Sequence, residues 1–192
     1  MQLETASGVD KVSSTLTKTI GAGDSARATG RYTIECLDSE GKVKWTLTPK
    51  NLVVNQGLQD MNTQYFKGAT YSATWYIGLY GAASGNNPTA NDTAASHPGF
   101  TEIVPYSNST RPAVTFGTAT TADPSIITNS ASPAAFTINA TATVGGAFLI
   151  SNSTKSGTAG VLFSASDFAA PGDRTVASGD TLNVTYTFSL DA

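Results

Sequence analysis

Apolar and polar residues alternate with a period of two in several separate stretches. Tyr32, Ile34 and Cys36 alternate with Thr33 and Glu35, and Val43, Trp45 and Leu47 alternate with Lys44 and Thr46. Asp38-Ser39-Glu40-Gly41 lies between them as a turn, so the pair reads as a β-hairpin with a loop of four or five residues. Cys36 falls on the apolar face of the first strand, the place of a small core residue. Trp75, Ile77 and Leu79 alternate with Tyr76, Gly78 and Tyr80. Both faces of that stretch are largely apolar, which predicts a central strand. The clearest alternation comes last, with Leu182, Val184, Tyr186, Phe188 and Leu190 on one face and Asn183, Thr185, Thr187 and Ser189 on the other.

Shorter apolar runs predict strands at Asn51–Val54, Thr101–Pro105, Ala113–Gly117, Ala134–Ala140, Val144–Ser151 and Val161–Ser164. A period near four appears once in full, where Leu58, Met61 and Tyr65 follow Asn55, a residue able to cap a helix, and precede Gly68, a residue suited to stop one. The spacing predicts one short helix over 56–67, with an Asx-turn and loop as the alternative. Residues 81–98 form a long loop of Gly, Asn, Ala and Pro. In residues 1–30, Val9, Val12, Leu16 and Ile20 have rough helical spacing, yet Leu16, Lys18 and Ile20 also alternate, and Gly21-Ala22-Gly23 breaks either pattern. That segment reads as an extended arm or edge strand, followed by a single domain over 31–192. The expected fold is all-β, a jelly-roll-like β-sandwich of about eight to ten short strands with one helix. Packing two sheets together limits exposed strand edges. No fixed period suggests a propeller or solenoid.

Composition adds support. Gly, Ala, Ser and Thr are abundant, while charged residues make up 13% of the 192. Thr suits a pleated surface, and strong helix formers are few. The net charge of -3 gives no bulk attraction for nucleic acid. Residues 1–67 carry 8 basic and 7 acidic side chains, against 3 and 7 in residues 68–192. The later two thirds therefore has few charges to solvate it, so much of its surface is Thr, Ser, Asn and Gly or is covered by a partner. The first residues have neither a basic start nor an apolar run, and no stretch has the roughly 18 apolar residues of a membrane helix. A soluble chain made in a cytoplasm is the expectation.

Candidate chemistry is sparse. One cysteine and one histidine make neither an internal disulfide nor a Cys/His zinc site. His97, with Ser96 and Asp92, allows a Ser-His-Asp drawing, but the nucleophile elbow is missing and His-Pro-Gly reads as a turn. Glu102 with Asp123, or Asp167 with Asp173, are carboxylate pairs of the kind that cleaves glycosides. Asp92, Asp173 and Asp180 lack the alternating ligands of a calcium loop. No phosphate-binding glycine loop appears. Trp75, Tyr76 and Tyr80 are either a sugar-stacking platform or core. Arg111, beside Tyr106, is a candidate for a partner contact, a cation–π pair or a local clamp.

Several segments occur together in a telling order. Asn51-Leu-Val-Val-Asn-Gln-Gly-Leu-Gln-Asp60 is followed by Tyr65-Phe-Lys-Gly68 and Trp75-Tyr-Ile-Gly-Leu-Tyr80. Then come Asp92-Thr-Ala-Ala-Ser-His-Pro-Gly-Phe-Thr-Glu102 and Arg111-Pro-Ala113. Gly145-Gly-Ala-Phe-Leu149 with Ser153-Thr-Lys155, and Ser178-Gly-Asp-Thr-Leu-Asn-Val184, complete the series. This order is similar to small β-rich virion proteins of tailed bacteriophages and resembles their head-decoration, or cement, class. The resemblance covers roughly residues 40–190, and its motifs are structural. It implies a non-enzymatic protein on the outer surface of the head, without cofactor or metal, binding the major capsid protein as a homo-oligomer (dimer or trimer). Neither nucleic acid nor membrane is an expected partner. Contact candidates are Val9, Val12, Leu16 and Ile20 in the arm, and Arg111. A tail, neck or fibre module that binds a host surface glycan is the alternative, and a small sugar hydrolase is a third reading.

Overall fold

The computed structural model describes residues 26–68, 71, 74–81, 87–168 and 172–192. The chain begins with β1 (Arg27–Leu37), β2 (Val43–Leu47), β3 (Asn51–Val53) and the helix α1 (Asn55–Lys67). It continues through β4 (Trp75–Gly81), β5 (Glu102–Ile103), β6 (Ala113–Val114), β7 (Ser125–Thr128) and β8 (Ala134–Thr137). It ends with β9 (Ala142–Ile150), β10 (Leu162–Asp167), β11 (Arg174–Val176) and β12 (Thr181–Asp191). Two antiparallel sheets pack face to face, as the alternation predicts. One has the order β2-β1-β12-β7, with β8 also on β12. The other has the order β3-β10-β9-β4-β5, with β11 on β9 and β6 on β4.

The pairs β1 with β12, β3 with β10 and β4 with β9 are nested in sequence, as in a rolled hairpin. In three places two short strands lie end to end along one flank of a longer strand. These are β7 and β8 on β12, β5 and β6 on β4, and β10 and β11 on β9. The chain from β2 to β3 changes sheets. It stays beside β1 as far as the Arg31–Lys50 bridge, then leaves to pair with β10. Pro49, which has no N–H to donate, sits at that corner.

The first core fills the space between the sheets. β1 sends in Tyr32, Ile34 and Cys36, and β12 sends in Leu182, Val184 and Tyr186 directly opposite them. The Tyr32 and Tyr186 rings lie 4.8 Å apart, and the Tyr32 hydroxyl reaches Ser164 Oγ of the other sheet at 2.9 Å. A second core lies on the outer face of the larger sheet, formed by Tyr80, Phe148, Ile150, Leu162 and Ala165. Val54, at the entrance to α1, covers it with Ala94 and Phe100 from the segment 87–101. β4 is therefore buried on both faces, as its apolar run predicts. Two glycines make room for this layer. Gly78 lies opposite Phe148, and Gly146 lies opposite Tyr80. A Cβ at either glycine would enter the facing ring.

Some expectations need correction. β1 begins at Arg27, so residues 27–30 pair with β12 as the edge-strand alternative has it, and residues 1–25 of that segment lie outside the described residues. Asn55 does not cap α1: Val54 is the N-cap and no side chain caps it. Instead the Asn55 N–H donates to Ala90 O at 2.8 Å, and its side chain bonds Asn91. A tertiary contact thus satisfies a donor that a local cap would otherwise serve. Gly68 does end the helix, with φ 61°. The face predicted from Leu58, Met61 and Tyr65 is not the packed one. Gly57 is the buried helical residue, and a Cβ there would meet the Phe163 backbone. That close approach turns Met61 inward and leaves Leu58 and Tyr65 outside. Strands β7 and β11 lie outside the predicted runs and pair with β12 and β9.

Candidate functional site

The polar residues singled out from the sequence fall into separate structural knots. Arg111 is 2% exposed and bonded within the chain, so it is not a surface contact. Its Nε and one terminal nitrogen donate to the two carboxylate oxygens of Glu102, at 2.9 and 2.7 Å. The guanidinium also donates to Asn152 O and Gly157 O, at 2.8 and 2.9 Å. Ser156 N–H donates to Glu102 as well, at 2.6 Å. The clamp reading is the one the fold contains, and it pins the segment between β9 and β10 to β5. The cation–π partner of Arg111 is Phe148, at 5.3 Å, while Lys155 lies 4.2 Å over Tyr106.

The Ser-His-Asp drawing does not assemble. The Asp92 carboxylate is buried and accepts from Thr89 N–H and Oγ1, at 3.0 and 2.9 Å. His97 Nδ1 lies 3.0 Å from Phe100 O, and its ring stacks on Phe100 at 4.3 Å. Phe100 N–H donates to His97 O at 3.2 Å, closing the expected turn. The turn carries Phe100 between Tyr80 and Phe148. Glu102 is engaged by Arg111, and Asp123 accepts from Ala192 N–H at 3.3 Å. Asp167 and Asp173 are close enough to interact. Burial raises the Asp167 carboxyl above its usual range, and the Asp173 charge adds to the rise. Asp180 accepts from Lys44 Nζ at 2.6 Å and from Ala177 N–H at 2.8 Å. Of the candidate sugar platform, Trp75 is 7% exposed and Tyr80 fully buried, and Tyr76 is half-buried against the outer core.

The surface is more informative. On α1, Tyr65 is 84% exposed and Phe66 is 77% exposed. Their rings meet edge to face at 5.0 Å. Leu58, next to the packed Gly57, is 40% exposed. The sequence places Tyr65 at helical spacing with Leu58 and Met61 and gives Phe66 no place in that pattern. The available signal was their adjacency, since neighbours on a helix point about 100° apart and two bulky rings in succession fill or exceed the width of one apolar stripe.

Beside this patch a cavity of about 420 Å³ opens between α1 and the ends of both sheets. Trp75, Phe116, Phe163 and Phe188 form much of its wall, and Asp60 and Gln64 provide polar groups. A larger groove of about 1070 Å³ lies where β3 departs from β1, lined from 26–31 and 48–53. Val9, Val12, Leu16 and Ile20 lie outside the described residues. Among the described residues no group of His, Cys, Asp and Glu could hold a metal ion, and no helix is long and apolar enough to cross a membrane. No family model, curated protein or solved structure matches the chain.

Proposed function

We propose that this chain is a decoration protein of a tailed-phage head, braced on the outer surface of the shell by contacts with the major capsid protein. The observation that carries the reading is the Tyr65–Phe66 pair. Two large aromatics stand exposed on a helix whose packed side is elsewhere. Aromatic residues are enriched at protein interfaces and among their energetic hot spots. The resemblance of the segments over 40–190 and the sparse charge of the later two thirds support the same reading.

The role is mechanical. Each copy buries surface on neighbouring shell subunits, and its binding energy adds to the stability of the bound lattice by linkage. Association as a dimer or trimer about a symmetry axis multiplies attachment through avidity. The groove between β1 and β3 lies where residues 1–25 join the sandwich, a suitable place for an arm to leave toward a neighbour.

The test is co-sedimentation with heads assembled without the protein. The wild type should pellet with the heads. The double variant Tyr65→Ala/Phe66→Ala should bind about tenfold or more weakly while keeping its near-UV circular dichroism, a loss of the size expected when hot-spot aromatics are removed. Equal binding by the folded double variant would overturn this surface assignment.

A further inference from the structure

We propose that the cleft between β1 and β3 receives a further strand of this same chain, residues 16–20, folded back as a hairpin on the open edge of β1. Such a strand completes the sandwich, and its presence does not depend on the decoration reading.

The cleft is bounded by main chain. Its walls are the consecutive residues 26–31 and 48–53, with Leu58 of α1. Successive side chains of a strand point to opposite faces, so a strand lines a space with every residue in turn only when it presents its edge. The ladder pattern agrees. β12 runs along the whole of β1, but β2 pairs with β1 only over Ile34–Leu37, and the last contact on that side is the Arg31–Lys50 bridge. Among the described residues, 27–30 therefore have no strand on their second edge. Every other residue there directs its N–H and C=O into the cleft. Such an edge is a template for one more strand.

The inward face at this end also lacks cover. Tyr32 and Tyr186, paired across β1 and β12, are fully buried. Further out on the same face, the pairs Gly30 with Phe188 and Ala28 with Leu190 are only half-buried. On the far wall Leu52 is half-buried and Leu58 is exposed.

The run Leu16-Thr17-Lys18-Thr19-Ile20 fits this edge in length, register and facing. It alternates as a strand does, and Gly21-Ala-Gly-Asp-Ser25 separates it from Ala26. A loop of that length and composition suits a hairpin. It sets Ile20 opposite Ala26, Lys18 opposite Ala28 and Leu16 opposite Gly30. Opposite residues share a face, so Leu16 and Ile20 fall on the uncovered inward side, beside small residues. Thr17 and Thr19 fall outward, beside Thr29 and Arg27. A loop one residue shorter would set Lys18 against Arg27 and turn Leu16 to solvent, a register that both charge and burial oppose. Lys18 faces inward at the open side of the cleft, where its stem packs and its charge reaches water. An inward charge on an edge strand also discourages another chain from pairing there. The short tether holds the segment near β1 at a far higher effective concentration than a second copy in solution reaches, which favours the chain's own strand.

Amide hydrogen exchange on the full chain is the first test. With the added strand in place, the amides of 28–30 all have a partner, on β12 or on residues 16–20, and all should exchange slowly. With the edge open, at least one of the three points into the cleft and should exchange fast, a result that overturns the proposal. A chain starting at Ala26 should lose that protection; equal protection in the two chains also overturns it. Paired cysteines then locate the occupant. Lys18→Cys/Ala28→Cys and Thr17→Cys/Thr29→Cys each place thiols directly opposite, at Cα separations a disulfide spans. The native Cys36 is buried and stays out of the reaction. Under a mild oxidant at least one pair should close within the chain, read as a reducible crosslink in the monomer. Thr17→Cys/Ala28→Cys puts its thiols on opposite faces and should stay open. No closure, or equal closure of all three, overturns the strand. Crosslinks between chains overturn it as well, and assign the cleft to residues 16–20 of a second copy.

Discussion

The guanidinium of Arg111 makes four hydrogen bonds inside the chain, two of them to Glu102. Removing one partner of such a buried pair strands the other charge. Arg111→Ala should therefore destabilise the fold by about 3–5 kcal/mol. Replacing both residues by apolar ones of similar volume should recover much of that loss, measured by urea unfolding. Equal losses in the single and double variants would contradict this account of the clamp. Cys36 offers a second check. Burial, and then the nearby Asp180 charge, push its thiol up to about 12. Native protein at pH 8 should leave it unlabelled by a thiol reagent until the chain unfolds; rapid native labelling would refute that. The sequence placed Cys36 correctly, because alternation reports which face a side chain occupies. It left Arg111 open between clamp and contact, because two of its acceptors are carbonyls of residues 152 and 157, which only the folded chain brings near.

Strand β4 shows how an element's pattern can be read in part. Its two-sided apolar run predicted burial on both faces, and both are buried. The run carried no sign of what covers the outer face, which is Val54 and the segment bearing Ala94 and Phe100. The glycines of that face carry a testable cost. Gly146→Val drives a side chain into the Tyr80 ring and should destabilise by about 1–3 kcal/mol or more. A neutral result in urea unfolding would mean the outer layer is not packed as described. The cap of α1 was misread because the contact that serves the Asn55 N–H is Ala90 O, 35 residues away. Strands β7 and β11 were missed, and only the fold brings them beside β12 and β9. The hairpin strand β2 is tied to the turn before β12 by Lys44 and Asp180. Burial alone would raise Asp180, but the Lys44 and Ala177 hydrogen bonds prevail and lower it. The Asp180 bond raises Lys44. A depressed carboxyl stabilises above its unfolded value of about 3.9 and loses that as pH falls through its folded value. A raised lysine stabilises below about 10.4 and loses that as pH rises through its folded value. The pair's contribution should thus be greatest between these limits. Lys44→Met should flatten both limbs of the thermal midpoint against pH, and unchanged limbs would assign the pH dependence to other groups.

At the scale of the whole molecule, the sandwich was legible because its faces alternate, and its sheet order was not, because alternation does not specify pairing. The candidate surface was legible least. Periodicity grouped Tyr65 with Leu58 and Met61, whereas α1 packs through Gly57 against Phe163 and leaves Tyr65 exposed. The start of β1 at Arg27 sets how far the chain can be shortened without loss of sheet pairing. Truncation before Ala26 keeps β1 whole, whereas removal of residues 1–30 takes away four residues paired with β12. Within the decoration reading, the shorter truncation should leave the sandwich folded and lower shell occupancy. The most direct measurement is the number of copies bound per particle when purified protein is added to heads assembled without it. The account predicts saturation at hundreds of copies per head, set by the lattice. A handful of copies, or binding to tails or cells alone, would contradict it and move the protein to a neck, tail or receptor-binding position.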